Sequence, residues 1–260
     1  MTRRVDYDRV ATAYDSRYAR NTYIGVEQAL ASFVEDSRAA HLRVLEIGCG
    51  TGHWVRRLRE AGQIAFGLEP SVAMLAVARG SLSGRLIRGR AEALPCTSAS
   101  CDRLFCINAL HHFSDPAAFL LEARRVLRSG GRILTAGLDP HNGQDQWWVY
   151  DYFPGALTAD RQRYLPTGRI RELMTAAGFS HAETQMIQHL PREMTISEAR
   201  SEGFLDRTST SQLMVVTDAE YDAGMSRIDA AEATGGTSTT LRSDLRIYAT
   251  IGWLGDDCSR

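Results

Sequence analysis

VLEIGCGTGHW, residues 44–54, decides the fold of this chain, because an apolar run reaches an acid and then breaks into three alternate glycines. Glycine allows a positive φ and lets a ligand approach the backbone without meeting a Cβ atom. An amphipathic helix is predicted directly afterwards, at 54–62. The stretch therefore predicts a strand, a tight turn and a helix that together hold a nucleotide-like ligand.

The spacing of the glycines argues against a dinucleotide. The fingerprint G-x-G-x-x-G/A needs a small residue three positions after its second glycine, and counting from Gly48 and Gly50 that position is His53. His53 and Trp54 would hinder a pyrophosphate at the helix N-terminus. The turn and Glu46 suit the zwitterionic amino-acid tail of a ligand without phosphate, so a dinucleotide oxidoreductase is excluded.

Strand and helix patterns alternate along the chain. Strands are predicted at 42–48, 64–70, 85–89, 101–110, 132–137 and 245–255, and helices at 54–62, 71–80, 115–131 and 167–179, with more helices between 190 and 240. Alternation of this kind predicts an α/β fold with a doubly wound, mostly parallel seven-stranded sheet and helical cap insertions. Ligands of such folds lie beyond the C-terminal ends of the strands.

Composition excludes several classes of function. The chain has 260 residues and a net charge of -1, which gives no overall attraction to nucleic acid or to an anionic membrane. All 30 basic residues are arginine, so a Schiff-base lysine and a phosphate-loop lysine are excluded. No apolar stretch approaches the roughly 18 residues of a membrane span. We expect a single cytoplasmic domain, 1–260.

Cysteine usage indicates reduced thiols and no metal site. The five cysteines are Cys49, Cys96, Cys101, Cys106 and Cys258, and no two of them form a C-x-x-C pair. The evenly spaced group of three crosses a loop and a predicted strand, which would scatter the thiols. Free cysteines fit this pattern best.

The motif E-x-G-x-G-x-G after an apolar strand resembles the cofactor motif of class I S-adenosylmethionine-dependent methyltransferases. GRAEALPCTSASCDRLFCINALHHF (89–113) is similar to the family's adenine-binding loop and fourth strand, and ARRVLRSGGRIL (123–134) to its fifth-strand entry. The N-terminal RVATAYDSRYARN (9–21) resembles a segment of the ubiquinone/menaquinone-type branch. The resemblance implies a Rossmann-like methyltransferase fold with S-adenosyl-L-methionine as cofactor.

The same resemblance implies a set of cofactor-binding residues: Tyr14, Tyr18, Glu46, Gly48, Gly50, Gly52, Glu69, Pro70, Met74, Arg90, Ala91, Glu92 and Asn108. An acid at the end of the second strand binds the ribose hydroxyls in the family, and Glu69 stands there, about 20 residues after the turn. A carboxylate can accept both hydroxyl protons. Tyr14 or Tyr18 would face the sulfonium with its ring, although core packing is an equal alternative for Tyr18.

Arg90 departs from the family pattern. An acid often follows the glycine of the third strand and binds the adenine amino group, whereas an arginine only donates hydrogen bonds. Either backbone groups of Arg90 and Ala91 read the base edge, or Glu92 takes the place of the acid. A 2′-phosphate on Arg90 is discounted, because Glu69 would repel it.

The activated methyl donor requires the enzyme to hold donor and acceptor in line and to exclude water. A base is needed only when the acceptor is a hydroxyl, a phenol or an acidic carbon. His111 and His112 follow Asn108 at the end of the fourth strand, where an imidazole could accept a proton at neutral pH. His111 is the candidate base, and a structural histidine is the alternative.

The segment 139–157 concentrates five aromatic residues, Trp147, Trp148, Tyr150, Tyr152 and Phe153. They form either an acceptor pocket or a packed cap or subunit interface, the latter allowing a homodimer. We divide the chain into N-terminal cap helices (1–40), a cofactor-binding half (41–138) and an acceptor-side half (139–260).

The expected function is in-line methyl transfer to O, N or C of a small molecule in secondary or specialised metabolism. No nucleic acid or membrane is expected as a partner. The alternative is an S-adenosylmethionine-binding protein of the same fold with a regulatory role or another reaction.

Overall fold

A computed structural model describes residues 5, 7–12, 14–35 and 41–255 of the chain. The strands in these ranges are β1 (Arg43–Ile47), β2 (Ile64–Glu69), β3 (Leu86–Arg88), β4 (Cys101–Ile107), β5 (Leu127–Gly137), β6 (Gln146–Trp147), β7 (His181–Thr195) and β8 (Thr240–Trp253). The helices are α1 (Ser16–Arg20), α2 (Ile24–Val34), α3 (His53–Glu60), α4 (Val72–Leu82), α5 (Pro116–Val126), α6 (Trp148–Tyr152), α7 (Pro154–Arg163), α8 (Thr167–Ala176), α9 (Ile196–Ser201), α10 (Ser211–Val215) and α11 (Asp218–Gly235). Short 3-10 turns lie at Tyr7–Arg9, Leu110–His112 and Gly236–Ser238.

All of these strands join one sheet in the order β3-β2-β1-β4-β5-β8-β6, with β7 beside β8. The first five strands pair in parallel, and β8 runs antiparallel to β5, β6 and β7. The predicted α/β class and mostly parallel sheet are confirmed, and the structure adds the two-residue strand β6. The order reverses at β1, which lies between β2 and β4, and a crevice for a ligand forms at such a switch point.

Alternate residues of the central strands face opposite layers of helices. Val44 packs with α2 and α3 on one face of the sheet, and Leu45 packs with α5 and α8 on the other. Because successive side chains of a strand point to opposite faces, a strand buried on both faces reads as a continuous apolar run. This explains why the first strand could be recognised in the sequence without an alternating pattern.

The helix after the fourth strand is shorter than predicted. A helix was expected over 115–131, but α5 ends at Val126 and residues 127–131 already belong to β5. Gly130 has a φ of 71°, which a helix does not accommodate. Leu127 pairs with Cys101 of β4, and the register shifts before Arg103. Strand pairing therefore replaces the last predicted turn of helix.

The last predicted strand, observed as β8, forms a long hairpin with β7. Helices were expected from residue 190 onward, but β7 continues to Thr195 and pairs with β8 back to Thr240. The helices of this insertion begin only with α9. β7 has its strand partner on one side and carries Pro191, as edge strands tolerate. Met194 is its one buried residue, so the sequence lacked the apolar run of a buried strand.

Helices α6, α7, α9, α10 and α11 form a cap beside the hairpin, with their own apolar cluster that includes Trp148, Phe153 and Ile228. None of the helices in the described ranges is long and apolar enough to cross a bilayer.

Substitution of a glycine in the cap, compared with a glycine in an open helix, tests how tightly the cap is packed. A Cβ atom on Gly224 would lie 2.1 Å from the ring of Phe153, whereas one on Gly80 of α4 would meet nothing within 4 Å. We expect Gly224→Ala to destabilise the protein by about 1–2 kcal/mol through overpacking that outweighs the gain in helix propensity. The matched Gly80→Ala should stabilise it by about 0.5–1 kcal/mol. Urea unfolding measures both, and equal shifts in the two variants would contradict this packing.

Candidate active site

A cavity of about 650 Å³ opens at the ends of β1, β2 and β4, beside the glycine turn. We call it the turn cavity. Its wall contains ten of the predicted cofactor residues, Tyr14, Gly48, Gly50, Glu69, Pro70, Met74, Arg90, Ala91, Glu92 and Asn108. Residues from five separate segments thus meet at the predicted position.

Glu69 is the more deeply buried of the two acids in this wall. Its Oε2 accepts a hydrogen bond from the backbone N–H of Gly50 at 3.0 Å, and its Oε1 accepts one from Ser71 N–H at 2.9 Å. The residue is only 7% exposed, and burial raises the pKa of Glu69, against the two backbone donors, which lower it. Both oxygens keep a further lone pair with which to accept hydroxyl protons.

The floor of the cavity depends on two glycines with positive φ. Gly48 has a φ of 73° and Gly50 a φ of 53°. A Cβ atom on Gly50 would lie 3.5 Å from the ring of Tyr14, and one on Gly48 would lie 2.7 Å from Ala109. Side chains there would strain the turn and narrow the space under Tyr14.

Arg90 and Glu92 form the polar rim of the cavity. Glu92 Oε1 accepts hydrogen bonds from the hydroxyl and the backbone N–H of Ser114 at 2.7 and 2.6 Å, while its Oε2 lies 3.5 Å from Arg90 Nε. Burial raises the pKa of Glu92, but the Ser114 donors outweigh it, and the net shift is downward. Glu92 is therefore a carboxylate whose Oε1 is occupied by the loop after β4.

Three predicted cofactor residues lie behind the wall. Tyr18 stacks on His53 with ring centroids 3.7 Å apart. A Cβ atom on Gly52 would lie 2.3 Å from Leu82, so this glycine is required for packing. Glu46 is 2% exposed, and its Oε2 has no hydrogen-bond partner in the described part of the chain. Burial raises the pKa of Glu46, and the backbone N–H of Val55 partly offsets this.

A second cavity, of about 330 Å³, lies between the N-terminal segment, the cap and the hairpin. We call it the cap cavity. Its apolar wall includes Trp147, Trp148 and Phe204. Tyr7, Asn108 and His111 line both this cavity and the turn cavity. The two cavities are therefore neighbours that share these three residues in their walls.

His111 is held in a defined orientation at this junction. Its ring stacks on Tyr164 with centroids 3.9 Å apart and an interplanar angle of 13°. Its Nε2 is buried and has no hydrogen-bond partner among the described residues. Burial, His112, Arg163 and Arg17 all lower the pKa of His111 well below its usual value of 6.5. The imidazole is therefore neutral at physiological pH.

Comparisons with known proteins match this arrangement. Residues 45–135 fit the family described as "Methyltransferase domain". Methyltransferase YrrT of Bacillus subtilis is 28% identical over 69% of this chain and 87% of its own length. The phthiotriol/phenolphthiotriol dimycocerosates methyltransferase of Mycobacterium leprae is 32% identical over 57% of this chain and 56% of its own.

A solved structure agrees on the fold. The phosphoethanolamine N-methyltransferase 2 of Haemonchus contortus, in complex with S-adenosyl-L-methionine, aligns with a TM-score of 0.60 and 19% identity, over 96% of this chain and 57% of that one. The matched domain, the curated relatives and the shared fold support a class I S-adenosylmethionine-dependent methyltransferase. Its cofactor is S-adenosylmethionine, as the sequence motifs predicted.

The turn cavity of this methyltransferase fits such a cofactor. Two buried side-chain nitrogens of Arg163, Nε and Nη1, have no partner within the described ranges, although Arg163 lines the cavity. Its Nη2 is paired with Asp160. Buried donors are nearly always satisfied, so open donors in the same cavity wall as the Glu69 carboxylate suit a polar, hydroxyl-bearing ligand.

Sequence reasoning missed Tyr7, which joins the N-terminal segment to the site. The Tyr7 hydroxyl lies 2.6 Å from His112 Nε2, and the two rings meet edge to face at 5.1 Å. Burial, with Arg163 and Arg17, lowers the pKa of His112 to about 3, so its ring is neutral and carries a proton on one nitrogen only. The sequence offered one signal for Tyr7, namely its position seven residues before the predicted cofactor residue Tyr14.

The aromatic segment divides between the two interpretations given to it. Trp147 and Trp148 line the cap cavity and also pack in the cap cluster, whereas Phe153 packs in the cluster only. The Tyr150 hydroxyl donates to Asp160 Oδ2 at 2.7 Å. The first two residues thus border a cavity, and the later ones stabilise the cap.

Apart from His189, the remaining histidines and the described cysteines line neither cavity. His189 lines the cap cavity and pairs with Asp244, a place that its sequence position did not reveal. His141 Nε2 lies 2.9 Å from the backbone oxygen of Tyr164. Cys49, Cys96, Cys101 and Cys106 are free thiols, and Cys258 lies outside the described residues. Within the described ranges, no group of three or more His, Cys, Asp or Glu could hold a metal ion.

Proposed function

We propose that this methyltransferase transfers its methyl group to a small molecule bound in the cap cavity, with His111 as general base. The shared wall of the two cavities, formed by Tyr7, Asn108 and His111, is the observation that carries the proposal. The cap cavity, at about 330 Å³, has the size of a small-molecule site. The two similar proteins whose names state an acceptor act on chemically different molecules. Membership of the family therefore does not fix the acceptor, and in this proposal the cap cavity selects it.

In this proposal Glu69 binds the ribose hydroxyls and the turn at Gly48 and Gly50 holds the amino-acid tail. The carboxylate of Glu69 is already fixed by two backbone donors, so it needs little reorganisation on binding. The adenine faces the rim of the cavity, where Arg90 and Ala91 line the wall and Glu92 Oε1 is occupied by Ser114. When bound, S-adenosylmethionine supplies an activated methyl group.

The N-terminal segment closes over the turn cavity and excludes water. Asp8 Oδ1 accepts hydrogen bonds from Ser71 Oγ at 2.5 Å and from Ala73 N–H at 3.3 Å, at the start of α4. Tyr7 is tied to His112 by its hydroxyl. Exclusion of water strengthens each polar contact in the site and prevents hydrolysis.

His111 accepts the proton of a hydroxyl, phenol or acidic carbon of the acceptor. The ring is neutral, its Nε2 is open, and Tyr164 fixes its plane. Tyr164 is held in turn by Gln212, whose Nε2 lies 3.3 Å from the Tyr164 hydroxyl and 2.9 Å from Asp160 Oδ2. The cap therefore positions the base as well as enclosing the acceptor.

Label transfer tests the proposed acceptor class. The full chain is incubated with methyl-labelled S-adenosylmethionine and an extract of the organism that encodes it, and the products are separated into small molecules, protein and nucleic acid. We expect label in the small-molecule fraction, and less of it with His111→Gln. Label confined to protein or nucleic acid would contradict the proposal.

The low pKa of His111 predicts the pH profile. A base whose pKa is lowered loses activity only when the pH falls through that lowered value. With both substrates saturating, we expect kcat to change by less than about twofold between about pH 8 and about pH 6. A profile with half-maximal kcat near pH 6.5 would show an unperturbed imidazole and contradict the assignment.

A further inference from the structure

The cap cavity carries an excess of positive charge. Arg17 and Arg20 of α1 and Arg192 of β7 line it, and no aspartate or glutamate is among its described lining residues. Charges of one sign in a cleft with low-dielectric walls attract ligands of the opposite sign. The excess contrasts with the chain as a whole, whose net charge is -1.

Two of these guanidinium groups have no carboxylate partner among the described residues. Arg192 Nη2 donates to the backbone oxygen of Arg20 at 2.7 Å, and its guanidinium lies 4.8 Å from the centre of the Phe204 ring. Arg17 Nη1 donates to the Tyr14 hydroxyl at 2.5 Å. These neutral partners orient both groups and leave their charges uncompensated within the described part of the chain.

The positive charge reaches the junction with the turn cavity. Arg17 lowers the pKa of both His111 and His112, after burial and other charges. A cationic acceptor such as an ammonium ion would meet the same repulsion. A guanidinium forms paired hydrogen bonds with the oxygens of a carboxylate or a phosphate. An ammonium ion has no oxygen that could accept them.

The opposite part of the wall is apolar. Trp147 is 9% exposed and Trp148 is 3% exposed, and both border the cavity with Leu138, Leu245 and Ile247. A ligand that fills this space needs an apolar body to cover these side chains. The arginines and the tryptophans therefore specify two different parts of one molecule.

We propose that the acceptor is an organic anion, with an apolar body against Trp147 and Trp148 and an oxyanion, carboxylate or phosphate, bound by Arg192 and Arg17. This inference rests on the proposed function, in which the cap cavity holds the acceptor. It names the chemical class that the cavity selects and excludes cationic amines.

Matched pairs of probes test the inference by calorimetry on the full chain saturated with S-adenosylhomocysteine. The pairs are 4-phenylbutyrate against 4-phenylbutyramide and phenyl phosphate against phenol. We expect at least one anion to bind at least about tenfold tighter than its neutral partner, as for a charged hydrogen bond. The pair that shows the preference distinguishes a carboxylate from a phosphate.

Arg192→Met should abolish this preference and leave the affinity for S-adenosylhomocysteine unchanged. Arg242→Met is the matched control, since Arg242 lies on the neighbouring strand, outside both cavities, and pairs with Glu193. Arg192→Lys, which keeps the charge, should retain part of the preference. Equal affinity for anion and neutral partner in both pairs, absence of binding by both anions, or an unchanged preference in Arg192→Met would each overturn the inference. Failure of the chain to bind S-adenosylhomocysteine, by contrast, would refute the proposed function itself.

Discussion

His111→Gln is expected to lower kcat by about 10²–10⁴-fold, the contribution of a positioned general base. The affinity for S-adenosylhomocysteine should change little, because glutamine keeps a polar side chain of similar length at the junction of the two cavities. The expected loss is specific to proton transfer, since the neutral imidazole has an open Nε2 and a fixed plane. Steady-state kinetics with the acceptor, together with calorimetry for the cofactor product, measure both effects.

His141→Gln is the matched control for this substitution. His141 also supports Tyr164, through a contact of 2.9 Å between its Nε2 and the backbone oxygen, but it lies outside both cavities. We expect it to reduce kcat far less than His111→Gln. Equal kcat in His111→Gln and the unsubstituted protein would make His111 a structural histidine and the acceptor one that needs no base.

Glu69→Gln is expected to weaken S-adenosylhomocysteine binding by roughly 10–150-fold, about 1.5–3 kcal/mol for one charged hydrogen bond. The carboxylate accepts from Gly50 N–H and Ser71 N–H and can accept from hydroxyls at the same time. A glutamine would turn its amide NH₂ toward one of these donors and could accept fewer hydroxyl protons. Calorimetry at fixed pH measures the change in Kd.

The control for Glu69→Gln is Glu198→Gln in the capping box of α9. Glu198 also accepts a backbone N–H, from Thr195 at 2.8 Å, but it lies far along the chain and outside both cavities. Its substitution should leave the Kd unchanged. An unaltered Kd in Glu69→Gln, with the thermal midpoint preserved, would remove Glu69 from the ribose site.

The cofactor side of the site was predictable because its signals are local. The glycines at 48 and 50 and the acid at 69 follow the strands that position them, so their spacing along the chain reflects their place at the sheet edge. The strand and helix patterns on either side were read from apolar runs in the same way. In this half of the chain the observed elements differ from the predicted ones at their ends. At the end of α5, for example, strand pairing replaces the predicted helix.

The individual residues of the cap cavity were not predictable because distant segments bring them together. Tyr7 meets His112 across 105 residues, and Arg192 is brought to Arg20 across 172 residues by the hairpin of β7 and β8. A single arginine in an exposed, alternating strand carries no sign that its guanidinium borders a cavity. Tyr18 shows the converse, since a plausible cofactor residue stacks on His53 instead of lining the cavity.

The central claim is that the methyl donor in the turn cavity faces the cap cavity across Tyr7, Asn108 and His111. A crystal structure of the full chain with S-adenosylhomocysteine tests it most directly. The account predicts that the ribose hydroxyls contact Glu69 and that the sulfur faces the opening beside His111. A ligand whose sulfur points away from the cap cavity, or whose ribose lies elsewhere than at Glu69, would contradict it.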